Sequence, residues 1–70
     1  MTDRTYCVTE LVGTSTDGVD QAIRNAIGRA GETLRHIDWF EVTQIRGHIR
    51  DNQIEHYQVG LKVGFRLEDA

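Results

Sequence analysis

The stretch Tyr57-Gln58-Val59-Gly60-Leu61-Lys62-Val63-Gly64-Phe65-Arg66-Leu67 alternates strictly, and its period decides the fold. Tyr57, Val59, Leu61, Val63, Phe65 and Leu67 fall on one face. His56, Gln58, Gly60, Lys62, Gly64 and Arg66 fall on the other. A period of two with one apolar face belongs to a half-buried strand. The pattern places this strand over residues 53–67. Just before it, Asp51-Asn52 suits a two-residue turn, because both residue types tolerate positive φ. Residues 39–50 are then the partner strand of a hairpin.

Further back, residues 16–34 show a different period. Val19, Ala22, Ile23, Ala26, Ile27, Ala30 and Leu34 lie on one stripe of a helix. Asp17, Gln21, Arg24, Asn25, Gly28 and Glu32 occupy the opposite, wet face. Gly28 and Gly31 each weaken a helix by about 1 kcal/mol relative to alanine, so this one depends on packing its stripe against a sheet. Ser15 or Thr16 is the expected N-cap. Residues 5–12, rich in β-branched and aromatic side chains, read as a first strand that Gly13 ends.

The elements give an α+β fold of order β-α-β-β, one domain over residues 1–70. Placing the last strand in the middle makes every pair antiparallel, in the order 1-3-2. The single helix covers one face of this three-stranded sheet and leaves the other bare. The two-residue turn sets Phe40 against Val63 and Val42 against Leu61 on the covered face. It sets Trp39 against Gly64, Glu41 against Lys62, and Thr43 against Gly60 on the bare face. Ile45, Ile49 and Ile54 join Trp39 there, and Gln58 falls opposite Ile45. A tryptophan and three isoleucines on an open sheet face call for a cover.

Size gives the same answer. The chain has 70 residues, and a domain so short buries only about 60% of its unfolded surface. Small domains usually add disulfides, a metal or partner subunits. The one cysteine, Cys7, cannot close an internal disulfide, and His36, His48 and His56 show no compact ligand spacing. Self-association is what remains. A helix of about 18 residues spans about 27 Å and a 13-residue strand about 44 Å, so the hairpin overhangs the helix and needs a partner of its own.

Composition removes other classes. Eight basic and eleven acidic residues give a formal charge of -3, against the basic field of a nucleic-acid binder. No apolar run approaches a membrane span, and Met1-Thr2-Asp3-Arg4 is unlike a signal peptide, so a cytosolic protein is the expectation. No nucleophile elbow, phosphate-cradling loop or paired catalytic carboxylates occur, which argues against an enzyme. His36 is read at the helix end, where a cation suits the dipole. His48 and His56 are placed near the hairpin tip, Cys7 is a reduced strand residue, and Tyr6 and Tyr57 are packing groups.

Four segments resemble the dodecins, a family of small flavin-binding proteins. They are Glu10-Leu11-Val12-Gly13-Thr14-Ser15 running into Asp17-Gly18-Val19-Asp20-Gln21-Ala22-Ile23; Leu34-Arg35-His36-Ile37-Asp38-Trp39-Phe40-Glu41-Val42; Ile45-Arg46-Gly47; and the stretch from Tyr57 to Leu67. The resemblance implies a hollow homododecamer that binds flavins in pairs, stacked between tryptophans of symmetry-related subunits. The matching tryptophan is Trp39. The resemblance further implies that Gln58 hydrogen-bonds the polar edge of the ring and that Arg46 lies near the phosphate of FMN. It also implies, from some members, that Arg46 and Arg66 hold the phosphates of coenzyme A. Archaeal members carry an acidic residue where this chain has Gln44, so it looks like the bacterial, FMN-preferring branch.

Indole is a suitable stacking partner for a flat, electron-poor ring. A glutamine amide offers the donor and acceptor that the ring's pyrimidine edge matches. Guanidinium suits phosphate through its planar fork. Trp39 and Gln58 stand about 20 Å apart along one hairpin, so the two should reach one flavin only from different subunits. The expected function is flavin storage with quenching of photoreactivity. A coenzyme A carrier or scaffold resting on Arg46 and Arg66 is the alternative, and a flavin-dependent redox enzyme is disfavoured because paired rings leave little room for a substrate.

Overall fold

The structure, a computed structural model, describes residues 3–67. The elements run β1 (Tyr6–Ser15), α1 (Val19–Ala30), β2 (Ile37–Arg50) and β3 (Gln53–Arg66). The sheet has the order β1-β3-β2 with both pairings antiparallel, as the β-α-β-β element order predicts with the last strand in the middle. No helix among the described residues is long and apolar enough to cross a membrane.

The core forms where the two periods meet. Ala22, Ala26 and Ala30 of α1 are buried, as are Val59, Leu61 and Val63 of β3. Leu11, Val19, Ile23, Ile27 and Ile37 pack around Ala22, Ala26 and the three β3 residues, half-buried. Small alanines on the stripe let the helix axis approach the sheet closely. Gly13 takes that approach furthest. It does not end β1, which continues to Ser15. A Cβ on Gly13 would collide with the carbonyl oxygen of Ala22 and come within 2.9 Å of Ala26 Cβ. The glycine is there for helix-to-strand contact, not as a strand terminator.

The helix is shorter than its stripe. Gly18 is the N-cap, and no side chain caps the helix. Ser15 Oγ instead accepts a bond from Asp17 N–H at 2.9 Å, shaping the turn that precedes the helix. At the other end Gly31 N–H still donates to Ile27, but Leu34 N–H returns to Ala30 and the chain turns away. His36 therefore lies well beyond the helix, not at its dipole, and has φ 60°.

The hairpin keeps its expected turn and loses its expected straightness. Asp51 and Asn52 have φ of 53° and 63°, and Arg50 pairs with Gln53. Phe40, Glu41 and Val42 face Val63, Lys62 and Leu61, and Trp39 faces Gly64, all as the sequence predicts. Beyond Val42 the register slips, because Thr43 is an extra residue. Gln44, not Thr43, pairs with Gly60, and Gln58 pairs with Arg46, not Ile45. Further slips occur between Ile37 and Trp39 and between His48 and Ile49. Each bulge inverts the side-chain parity beyond it. By that inversion Ile45, paired with Val59, turns to the helix-side face. Ile49, paired with Ile54 beyond the next slip, does likewise. The expectation that these isoleucines lie beside Trp39 is overturned.

The isoleucines remain uncovered even so. Twelve helical residues span about 18 Å, whereas each hairpin strand of 14 residues spans about 46 Å. Ile45, Ile49 and Ile54 are 58%, 69% and 58% exposed, and Phe40 and Val42 continue the apolar strip toward the core. A surface of this kind is suited to burial against further copies of the chain.

Candidate functional site

The face of the sheet away from the helix is carried by alternate residues of all three strands. Val8, Gly64 and Trp39 form one row across it; Glu10, Lys62 and Glu41 form the next. Lys62 thus stands between two carboxylate-bearing residues, a favourable cross-strand arrangement. Val12, Gly60 and Gln44 follow, then Thr14, Gln58 and Arg46.

Trp39 lies across the bare backbone of Gly64. A Cβ on Gly64 would run into indole Cε2 and Cζ2 and come within 2.6 Å of Nε1. The glycine lets the ring settle onto the strand, which leaves Trp39 41% exposed. The ring leans toward β1, where Tyr6 meets it with centroids 6.5 Å apart and planes tilted by 58°. Tyr6 O–H donates to Asp38 Oδ2 at 3.0 Å. Asp38 sits in the slip between Ile37 and Trp39. Close by, Arg66 Nη2 donates to His36 Nδ1 at 2.9 Å, and Arg66 N–H to the His36 carbonyl at 2.9 Å. A guanidinium has no acceptor, so His36 accepts through Nδ1 in this contact.

The second cluster is built by the Thr43 bulge. Without it, alternation from Phe40 and Val42 would send Arg46 to the helix side. With it, Arg46 stands beside Gln58 and its Nε donates to Gln58 Oε1 at 3.1 Å. That contact fixes which end of the amide faces the arginine. Gln58 Nε2 lies 3.4 Å from His56 Nε2. The ring of His56 stacks on that of His48, 5.4 Å between centroids and 9° from parallel. Glu55 Oε1 lies 3.6 Å from His48 Nε2 and 3.8 Å from His56 Nδ1, and Glu55 Oε2 accepts from Arg50 at 3.1 Å.

The four residues singled out by sequence therefore form two pairs. Arg46 and Gln58 touch. Trp39 and Arg66 share the other end of the face. Gln58 is six residues from Gly64 along β3, which separates the pairs by about 20 Å. Tyr6 and Asp38 were not expected in this setting. Tyr6 shares the parity of Val8 and Glu10, which marks its face, but the slip that brings Asp38 within reach of its hydroxyl has no evident sequence signal. On the opposite face, Ile23, Arg24, Ile27 and Gly28 of α1 and Phe40 of β2 line an open groove, away from Trp39.

Known proteins resemble this chain along nearly its whole length. The family model described as dodecin matches residues 5–68. Dodecin of Thermus thermophilus is 54% identical over 67 residues, covering 96% of this chain and 97% of its own. The solved dodecin of Streptomyces coelicolor is 67% identical with a TM-score of 0.93, and each chain covers 100% of the other. Three solved variants of T. thermophilus dodecin also match. One replaces a tryptophan by phenylalanine, and the others each replace an arginine by alanine. They are 51% to 52% identical with TM-scores of 0.91 to 0.92, covering 96% to 97% of this chain and 100% of theirs.

Proposed function

The chain belongs to the dodecin family, and from that premise we propose that it stores flavin, stacking paired rings between Trp39 side chains of neighbouring subunits in a hollow homododecamer. The observation that carries the reading is the half-exposed indole laid over Gly64 on a sheet face that no element among the described residues covers. A flat, apolar-faced ring extends that stack, and water is a poor alternative neighbour for it. Support also comes from the T. thermophilus variants. Their substituted tryptophan and arginines are separated by seven and then twenty residues, the spacing of Trp39, Arg46 and Arg66.

The remaining residues fit the group's polar parts. Gln58, its amide oriented by Arg46, offers donor and acceptor to the pyrimidine edge. Arg46 retains further N–H donors beyond its bond to Gln58, which suit the phosphate of FMN. Trp39 and Gln58 are too far apart in one chain to serve a single ring, so the site is shared between subunits and a lone chain carries only part of it. Bound flavin supplies the light-absorbing ring; the protein's own part is to hold it, exclude water and present indole as a quenching electron donor. No acid, base or nucleophile is assigned, and the reading is of a binding protein located in the cytoplasm.

The test is a titration of flavin with the assembled protein, read by flavin fluorescence. Emission falls stoichiometrically with wild-type protein. Trp39→Ala weakens binding and restores emission. Unchanged affinity and quenching in that variant would overturn the stacking role.

A further inference from the structure

We propose that Tyr6 and Asp38 form a radical relay that refills Trp39 after the indole has lost an electron. Three observations converge on it. The Tyr6 and Trp39 rings lie 6.5 Å apart between centroids. The Tyr6 hydroxyl donates to Asp38 Oδ2 at 3.0 Å. Both rings are open on the same face, at 39% and 41% exposure, so neither is a buried packing residue. A phenol that must keep its proton is a poorer electron donor than indole. A phenol whose proton has an acceptor within a hydrogen bond is a better one. The carboxylate supplies that acceptor, and the bulge at Asp38 places it.

The step balances within the chain. One electron leaves the Tyr6 ring and fills the hole in the Trp39 radical cation. The phenolic O–H bond breaks, and its proton passes to Asp38 Oδ2. The products are neutral tryptophan, a neutral tyrosyl radical and protonated Asp38. The oxidant that opens the hole is a photoexcited isoalloxazine, and the cycle closes when its electron returns to Tyr6 and the proton comes back from Asp38. Arg66, opposite Tyr6 in register, is engaged with His36. The relay's use in the cell rests on the flavin reading; the transfer itself does not. Its effect is to shield the indole from irreversible oxidation.

The experiment uses flavin-free assembled protein and azide radical, a one-electron oxidant selective for indole, in pulse radiolysis. In wild type, the visible band of the tryptophan radical decays while the tyrosyl band grows, at a rate independent of protein concentration. Tyr6→Phe abolishes this conversion. Tyr57→Phe leaves it intact, because Tyr57 lies seven residues from Gly64 along β3, about 23 Å away. Asp38→Asn slows it by about ten- to hundredfold through loss of a charged acceptor. Conversion at the wild-type rate in Tyr6→Phe overturns the relay, and an unchanged rate in Asp38→Asn overturns the role of the carboxylate. Flavin binding is measured on the same preparation. Transfer without flavin binding sinks the storage reading and supports the relay; binding without transfer sinks the relay alone.

Discussion

Replacing Gly64 by alanine adds one methyl group and should dislodge Trp39, the proposed stacking residue. The new Cβ would lie 2.6 Å from Trp39 Nε1 and closer still to two ring carbons, a separation that no small adjustment relieves. The indole can move, because it is 41% exposed, but moving uncovers part of the rest. An aromatic side chain buries about 150–250 Å² when fully covered, so losing about 75 Å² of contact costs about 2 kcal/mol at about 25 cal/mol per Å². Relief of glycine's backbone entropy offsets about 0.5–1 kcal/mol. The net loss of about 1–1.5 kcal/mol lowers Tm by about 4–8 °C per kcal/mol in a chain this size. Displacing a stacking platform costs about 1–3 kcal/mol by analogy with base stacking, so flavin affinity should fall by about 5- to 150-fold. Thermal unfolding and flavin titration measure the two effects. A double-mutant cycle isolates the cause: in a Trp39→Ala background there is no ring to displace, and the alanine should cost nothing. Wild-type affinity and unaltered indole emission in Gly64→Ala would refute the geometry.

Other glycines separate by what a Cβ would meet. Gly13→Ala drives a methyl group into helix backbone at Ala22, which cannot yield as a side chain can, and should destabilise by about 3 kcal/mol or more in chemical denaturation. Gly28→Ala meets nothing within 4 Å on the exposed face of α1 and should stabilise by about 0.8–1 kcal/mol in the same assay. Arg46→Met keeps an unbranched stem but removes the guanidinium and its charge. It should weaken FMN by about tenfold or more, and riboflavin, which lacks the phosphate, by less, as judged by parallel titrations.

The alternation of β3 and the stripe of α1 were enough to set the element order, the strand order and the core, because each period fixes one buried face. The helix ends were less legible. The apolar stripe continues past Ala30 to Leu34, and only the competing turn at Gly31 cuts the helix short. The bulges explain the rest. Apolar parity on β2 is even at Phe40 and Val42 and odd at Ile45 and Ile49, so one extra residue keeps all four on one side. A second slip, with Glu55 the extra residue on β3, separates Ile54 from Tyr57. Read as a straight ladder, the pattern puts isoleucines beside Trp39; read with the slip, it puts Arg46 in place of Ile45 opposite Gln58 on the tryptophan's face. Trp39 and Gln58 were singled out through the family resemblance. Tyr6 and Asp38 were not, because their contact crosses from β1 to β2 over the intervening strand.

The most direct test of a site shared between subunits mixes two defective chains. Trp39→Ala and Gln58→Ala proteins are co-refolded at equal amounts, and flavin binding is titrated against each variant alone. If the two residues that serve one ring come from different chains, about a quarter of the sites in a random mixture regain both, and tight, quenched binding reappears in that proportion. If both come from the same chain, no intact site can form, and the mixture binds as the average of its two parents.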